Sequence, residues 1–189
     1  MLFRSVKFIT EGKGSDKKMF IEGIFLQGDI TNRNGRMYPM ETLSREVKRY
    51  SEAFINKGRA LGELGHPDGP TVNLDRVSHK IVSLTCEGSN FRGKAQLLET
   101  PMGKIAKSLI SEGVQLGVSS RGVGSLRMST EGHKIVGEDF MLATAADIVA
   151  DPSAPDAFVQ GIMEGKEWVW DGGMLREKVA ENTRHRINS

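Results

Sequence analysis

The chain has 189 residues, of which 38% are hydrophobic, so it fits one domain of ordinary size with a single buried core. Its 26 basic and 24 acidic side chains are spread along the sequence and give a net charge of +2, which does not indicate a nucleic-acid or membrane-surface protein. The single cysteine, Cys86, excludes an internal disulfide, and its apolar surroundings predict a buried structural thiol. No stretch reaches the roughly 20 apolar residues of a membrane span, and the N-terminus has no signal core, so we expect a soluble intracellular protein.

Strands predominate along the chain. Hydrophobic patterning predicts them, in chain order, over residues 3–9, 19–30, 76–87, 91–99, 114–128, 134–142 and 146–151. Residues Leu43, Val47, Tyr50 and Phe54 recur at helical spacing and predict a first helix over residues 39–56.

A second helix is predicted over residues 101–112. Thr100 has the hydroxyl of a good N-cap, and Gly113 is placed where a glycine ends a helix. The spacing of the apolar residues predicts that Ile105, Leu109 and Ile110 face the core.

This order of elements predicts an α+β fold in which a mostly antiparallel, barrel-like sheet is surrounded by helices. Residues 1–160 make up the predicted domain. Residues 161–189 differ in composition, with a Trp-Val-Trp step, a Gly-Gly hinge and a charged, weakly amphipathic helix. We interpret them as a C-terminal tail that self-cleavage could remove.

Four histidines are present, and one stands apart. His133 lies in a turn and His185 in the charged tail, and both are predicted at the surface. Strand alternation places His79 on a polar face. His66 lies in "GELGHPDGP", where Pro67 restricts the backbone and glycines allow close approach, so His66 is the candidate for chemistry.

A metal site is the weaker interpretation of this region. The residues available for it would be His66, Asp68, Asp75 and His79. They show none of the common zinc-binding spacings, so neither a metal nor another cofactor is expected.

The segment "GVSSRGVGS", residues 117–125, places two serines in a glycine-flanked apolar run. Serine becomes a nucleophile only when a base takes its proton and a third group holds that base. Ser119 or Ser120, with His66 as the base, would supply two of these parts. Asp147 is a lone charge in an apolar run, where an unpaired carboxylate costs several kcal/mol or more, so it is the candidate for the third.

Four segments carry a resemblance to a known family. "FIEGIFLQGDITNRNGRMYP" at 20–39 is followed by "GELGHP" at 62–67, "GVSSRGVGS" at 117–125 and "PSAPDA" at 152–157. Their sequence and order resemble those of the prohead proteases of T-even-type bacteriophages, which are serine endopeptidases that digest the scaffolding core during capsid maturation. The similarity runs from about residue 20 to about residue 158.

The resemblance implies a fold related to the herpesvirus assembly proteases, a strand barrel surrounded by helices. It also implies that His66 is the general base and that Ser119, the first of the pair, is the nucleophile, with Ser120 as the alternative. Asp147 stands where the third member is expected, and the herpesvirus branch has a histidine there. Backbone N–H groups near 153–156 or 121–122 would form the oxyanion hole.

The resemblance further implies cleavage after glutamate, with Leu or Ile two residues earlier. A positive pocket would recognise that glutamate. Its candidates are Arg36, Arg76, Lys80 and Arg121, of which Arg121 is predicted to bind substrate. The implied partners are the scaffolding core proteins and the major capsid protein, inside the prohead in the host cytoplasm. A homo-oligomer is compatible with this, and no nucleic acid or membrane partner is expected.

The chain itself contains three bonds of the implied type, Glu11–Gly12, Glu112–Gly113 and Glu164–Gly165, each with isoleucine two residues before the glutamate. The last of these is predicted to be cut, which would remove the tail. The alternative function is a catalytically silent scaffold or capsid-binding module on the same fold.

Overall fold

The structure, a computed structural model, describes residues 7–12, 17–31, 35–65, 67, 69–150, 167–171 and 174–178. In chain order its strands are Lys7–Glu11 (β1), Lys18–Gln27 (β2), Arg36–Met37 (β3), Leu61–Glu63 (β4), Val77–Glu87 (β5), Asn90–Leu97 (β6), Gly117–Val123 (β7), Leu126–Met128 (β8), Lys134–Val136 (β9), Met141–Val149 (β10), Glu167–Asp171 (β11) and Met174–Lys178 (β12). Its helices are Met40–Tyr50 (α1), which continues into a π-helical turn at Ser51–Ile55, and Pro101–Ser111 (α2). Leu74–Arg76 form a short 3-10 turn.

The fold is a mixed α/β arrangement of mostly antiparallel sheets with few helices. Five strands form the largest sheet, in the order β1-β2-β6-β5-β4, and β10 pairs with β7. Leu64, which follows the edge strand β4, forms a single parallel bridge with Ile148 of β10. The described strands do not close into the barrel that the sequence predicted, because the three-residue β4 is too short to form a continuous ladder with β10.

The two helices pack in different ways. Leu43, Val47 and Tyr50 of α1 are buried as predicted. Thr100 caps α2, since its hydroxyl accepts a hydrogen bond from the Gly103 N–H at 3.1 Å. The predicted inner face of α2 is wrong at Ile105, which is 45% exposed.

Small residues explain the orientation of α2. Gly103 and Ala106 are its buried positions. A Cβ added at Gly103 would collide with the carbonyl oxygen of Leu98, so the helix backbone lies directly against the neighbouring strands. This close approach turns Ile105 and Leu109 outward.

Two further expectations differ from the structure. Cys86 is exposed, because the second half of β5 extends beyond the core. Residues 174–178, predicted to start a tail helix, form β12, which pairs with β11 across the Gly-Gly step. None of the helices in the described part of the chain has the length and hydrophobicity to span a bilayer.

Candidate active site

The candidate site lies on the strand pair β7 and β10. Every residue of β7 is buried, Ser119 is in register with Asp147, and Arg121 is in register with Thr144. Opposed residues of an antiparallel pair project to the same face, as do residues two apart on one strand. Ser119, Arg121 and Asp147 therefore share a face, and Ser120 projects to the opposite one.

The two serine hydroxyls are buried and unsatisfied. Ser119 is 3% exposed and Ser120 is fully buried, and neither Oγ has a hydrogen-bond partner among the described residues. Leaving a buried hydroxyl without a partner costs about 1–3 kcal/mol. Since both hydroxyls are unsatisfied, the feature that distinguishes Ser119 from Ser120 is its register with Asp147.

A charged partner of Asp147 is Arg121, whereas the sequence predicted that Asp147 would hold His66. Arg121 Nε lies 2.5 Å from Asp147 Oδ2, and Arg121 Nη2 lies 3.2 Å from Oδ1. The backbone N–H of Glu63 donates to Asp147 Oδ1 at 3.0 Å. This two-pronged contact and the backbone donor replace the water that the fully buried carboxylate has lost.

Arg121 itself is enclosed by protein. Its Nη2 donates to Glu63 Oε2 at 2.9 Å, and its Nη1 donates to the carbonyl oxygens of Gly69 at 2.7 Å and Thr71 at 3.4 Å. The side chains of Arg121, Glu63 and Asp147 are each fully buried. Arg121 was predicted to bind substrate, but two carboxylates hold it in the interior, away from solvent.

The loop that carries His66 follows β4. His66 and Asp68 lie outside the described residues, but their neighbours are described on both sides. The N–H of Gly65 donates to the carbonyl oxygen of Ile148 at 2.6 Å, which ties the chain just before His66 to the residue after Asp147. Gly65 has φ +81°, a value that favours glycine and turns the chain there.

His79 differs from its predicted place on a polar face. It is fully buried, with Nδ1 2.7 Å from Ser78 Oγ and Nε2 2.7 Å from the carbonyl oxygen of Ala146. Burial lowers the pKa of His79 below its usual 6.5, against the opposing effect of the Ala146 carbonyl. The ring is therefore neutral, donating from Nε2 and accepting at Nδ1. Alternation failed here because both faces of β5 are covered at this point.

Of the other cations proposed to recognise a substrate glutamate, Arg76 is the accessible one beside the His66 loop. Arg36 is buried, and Lys80 lies in the middle of β5 opposite Leu61. The Arg76 side chain is 43% exposed, and its Nη2 donates to the carbonyl oxygen of Leu64 at 2.8 Å. The same nitrogen lies 3.5 Å from where a Cβ would stand on Gly65.

A cleft of about 560 Å³ borders the same loop. Apolar side chains line much of it, among them Phe54, Val72 and Leu74, and Thr71 belongs both to its wall and to the Arg121 contacts. Leu74 is 75% exposed and stands two residues before Arg76. The cleft thus offers an apolar surface close to an accessible positive charge.

Glu63 is the site residue that sequence reasoning missed. Its signal was present, since "ALGELG" at 60–65 places one acid in an otherwise uncharged segment, the same pattern that singled out Asp147. Among the described residues, no group of three or more His, Cys, Asp or Glu side chains is arranged to hold a metal ion.

Comparison with known proteins identifies the family of this chain. The family model described as prohead core protein serine protease matches residues 5–167. The prohead core protein protease of Enterobacteria phage T4 is 42% identical over 146 residues, which cover 75% of this chain and 68% of that protein. The structure of the bacteriophage T4 capsid assembly protease, gp21, matches with a TM-score of 0.72 and 34% identity, over 77% of this chain and 92% of that one. Because the family match covers most of the chain, including both serines and the strand of Asp147, this chain belongs to the family of prohead core protein serine proteases.

Proposed function

We propose that this serine protease is an endopeptidase that digests scaffolding core and capsid proteins inside the prohead, with Ser119 as nucleophile, His66 as general base and Asp147 as the residue that orients the base. One observation carries the proposal: Ser119 and Asp147 oppose each other in register, and the described neighbours of His66 are tied to the same stretch of β10. The partners follow from what the related phage proteins are named to act on.

The chemistry follows from these three roles. Ser119 Oγ attacks the scissile carbonyl carbon while His66 takes its proton, and the C–N bond breaks as His66 passes that proton to the leaving amine. Water then hydrolyses the acyl-enzyme with His66 again as base, which frees the new carboxyl end. Backbone N–H groups at 121–122 or 153–156 would stabilise the tetrahedral oxyanion.

The roles are tested by substitution. We expect Ser119→Ala and His66→Ala to abolish scaffold digestion equally, because members of one catalytic unit fail together. Asp147→Asn should cost less, though on the order of 10⁴-fold in the comparable triad. Ser120→Ala, whose hydroxyl projects to the other face, is the matched control and should keep most activity. Digestion by Ser119→Ala with loss in Ser120→Ala would reverse the assignment, and absence of digestion by the parent protein would favour the catalytically silent module.

For specificity, we propose that Arg76 recognises the glutamate before the cleaved bond. Its side chain is 43% exposed, and its Nη2 lies beside Gly65, the residue that precedes the proposed base. The apolar cleft around Leu74 would then take the Leu or Ile two residues earlier. Arg76→Gln should raise the KM for a peptide that has Leu-x-Glu directly before the cleaved bond. It should also reduce the enzyme's preference for that peptide over the one with Leu-x-Gln. An unchanged preference would exclude Arg76.

We also propose that the enzyme cuts itself between Glu164 and Gly165, leaving a domain of about residues 1–160. The other two candidate bonds lie in hydrogen-bonded structure, since Glu11 pairs with Lys18 and the Glu112 N–H donates to the Ser108 carbonyl at 3.1 Å. Intact mass over time should show loss of the last 25 residues in the parent and not in Ser119→Ala. A stable parent mass while added scaffold is digested would contradict this.

A relationship of the fold to the herpesvirus assembly proteases is proposed on the family resemblance alone. Superposition of an experimental structure on those enzymes would test it.

A further inference from the structure

We propose that Arg121 is a positioning residue, which clamps both ends of the His66 loop onto the Asp147 strand so that the base meets Ser119. This inference rests on the proposed catalytic roles. It assigns Arg121 a function distinct from substrate binding. It also makes Glu63 a second positioning residue, through its ion pair with Arg121.

The clamp has one contact on each side of the base. Glu63 stands three residues before His66, and Gly69 stands three residues after it. Arg121 reaches both, at 2.9 Å through Nη2 and at 2.7 Å through Nη1, while its Nε holds Asp147 at 2.5 Å. A single planar guanidinium thus joins β7, β10 and the two ends of the loop.

Glu63 also binds residues further along the chain, at Asn73 and Arg76. Its carboxylate accepts hydrogen bonds from the backbone N–H of Asn73 at 3.1 Å and from Asn73 Nδ2 at 3.2 Å, and its Oε1 lies 3.5 Å from Arg76 Nε. The loop ends are therefore tied to each other as well as to Arg121. A loop fixed at both ends by buried groups has little freedom to carry its central side chain away from the nucleophile.

The geometry of the contacts requires an arginine. The guanidinium has five N–H donors in a rigid, planar arrangement. One side chain can therefore donate to two carboxylates and to a backbone carbonyl at the same time. Lysine keeps the positive charge but concentrates its donors on one nitrogen at the end of a flexible stem. Arg121→Lys therefore separates the charge of the clamp from its shape.

The experiment compares Arg121→Lys with Arg49→Lys in the full-length protein. Arg49 is the matched control because it also donates to a β10 carbonyl, that of Leu142, from outside the His66 loop. Two peptides are used, one with Glu and one with Gln before the cleaved bond. Labelling of Ser119 by a small fluorophosphonate, which does not need the glutamate pocket, reports on the base and nucleophile alone.

For Arg121→Lys we expect kcat and the labelling rate to fall on the order of 10²-fold, as a displacement of about 1 Å of a catalytic group does. KM should stay within roughly threefold and the Glu-to-Gln preference should not change, because no substrate contact is lost. Arg49→Lys should keep the parent kcat and labelling rate; because Arg49 also lines the apolar cleft, its KM is not compared. Glu63→Gln is the second variant, and it should lower kcat and the labelling rate in the same way; its Glu-to-Gln preference is left out of the comparison because Glu63 also pairs with Arg76.

Three results would overturn the proposal. A collapsed Glu-to-Gln preference would return Arg121 to substrate recognition. Equal losses in Arg121→Lys and Arg49→Lys, following their melting temperatures, would assign both to general stability. A kcat equal to that of the parent in both Arg121→Lys and Glu63→Gln would contradict the positioning role of the clamp. Cleavage or labelling that survives Ser119→Ala would instead contradict the proposed catalytic roles, so the two failures are distinguishable.

Discussion

Two acid–arginine clusters bind strand β10, and they differ in how they are built. Near its start, Glu46 and Arg49 lie one turn apart on α1, and they bind the backbone N–H and carbonyl of Leu142 at 2.9 and 3.0 Å. Near its end, Arg121 binds Glu63 and Asp147, which come from strands far apart in sequence. Arg49 keeps a third of its side chain in solvent, whereas all three side chains of the second cluster are fully buried.

The difference separates an attachment from a site. The helix cluster pairs one glutamate with one arginine that stays partly in water. It therefore attaches α1 to β10 at a low desolvation cost. The strand cluster buries two carboxylates around one guanidinium, which is costly and more weakly stabilising than apolar packing of the same volume. We infer that it is retained because it holds the His66 loop.

The largest expected effect comes from removing one arginine from each cluster. Arg121→Met should destabilise the protein by about 3–5 kcal/mol, because it leaves two buried carboxylates without their cation. Arg49→Met should cost about 0–1 kcal/mol, since its pair is partly solvated. Urea unfolding followed by circular dichroism, in a Ser119→Ala background that prevents self-cleavage, measures both. Equal losses would remove the distinction between the clusters.

The next effect concerns the packing beside the strand cluster. A Cβ added at Gly62 would collide with the His79 ring and with the Ala146 carbonyl, so Gly62→Ala should cost about 1–3 kcal/mol through overpacking. Gly69→Ala is the control on the other side of the His66 loop, where the nearest atom to an added Cβ is 4.0 Å away. Its melting temperature should match that of the parent, and a drop as large as that of Gly62→Ala would show that the loop, not the ring, is the sensitive element.

A third prediction uses pH, because a titrating group lies beside only one cluster among the described residues. The pKa of His79 is lowered mainly by burial; Asp147 opposes this shift and Arg121 adds to it. Below pH 6.5 the unfolded chain takes up a proton that the folded state does not, so stability is lost as pH falls, by about 1.4 kcal/mol per unit. Unfolding at pH 7.0 and 5.5 should show this slope in the parent and not in His79→Gln, while His133→Gln keeps it. A slope unchanged in His79→Gln would assign it to another group.

The smallest effect is expected at a helix that contributes no residue to either cluster. Thr100→Ala removes the N-cap of α2 and should cost about 1 kcal/mol. The kcat for cleavage at a temperature well below unfolding should not change, because both clusters keep all their members. A lower kcat in the fully folded variant would connect α2 to the site.

Local patterns in the sequence determined most of the elements and singled out candidate reactive groups. The helix of Leu43, Val47 and Tyr50, the Thr100 cap and most of the strands followed from periodicity and capping, which depend on neighbours a few residues apart. A lone carboxylate in an apolar run required a partner, and this reasoning identified Asp147 before its partner was known.

Tertiary structure decided which distant residues meet and which faces are covered. Nothing local indicated that Arg121 would lie between Glu63 and Asp147, that β5 would bury His79, or that α2 would pack through Gly103 and turn Ile105 outward. Burial and charge pairing depend on strand order and register, and these arise from contacts across the whole chain. The sequence therefore identified Ser119, His66 and Asp147 as the candidate residues. The fold places Arg121, which was predicted to bind substrate, in the interior as the partner of two acids.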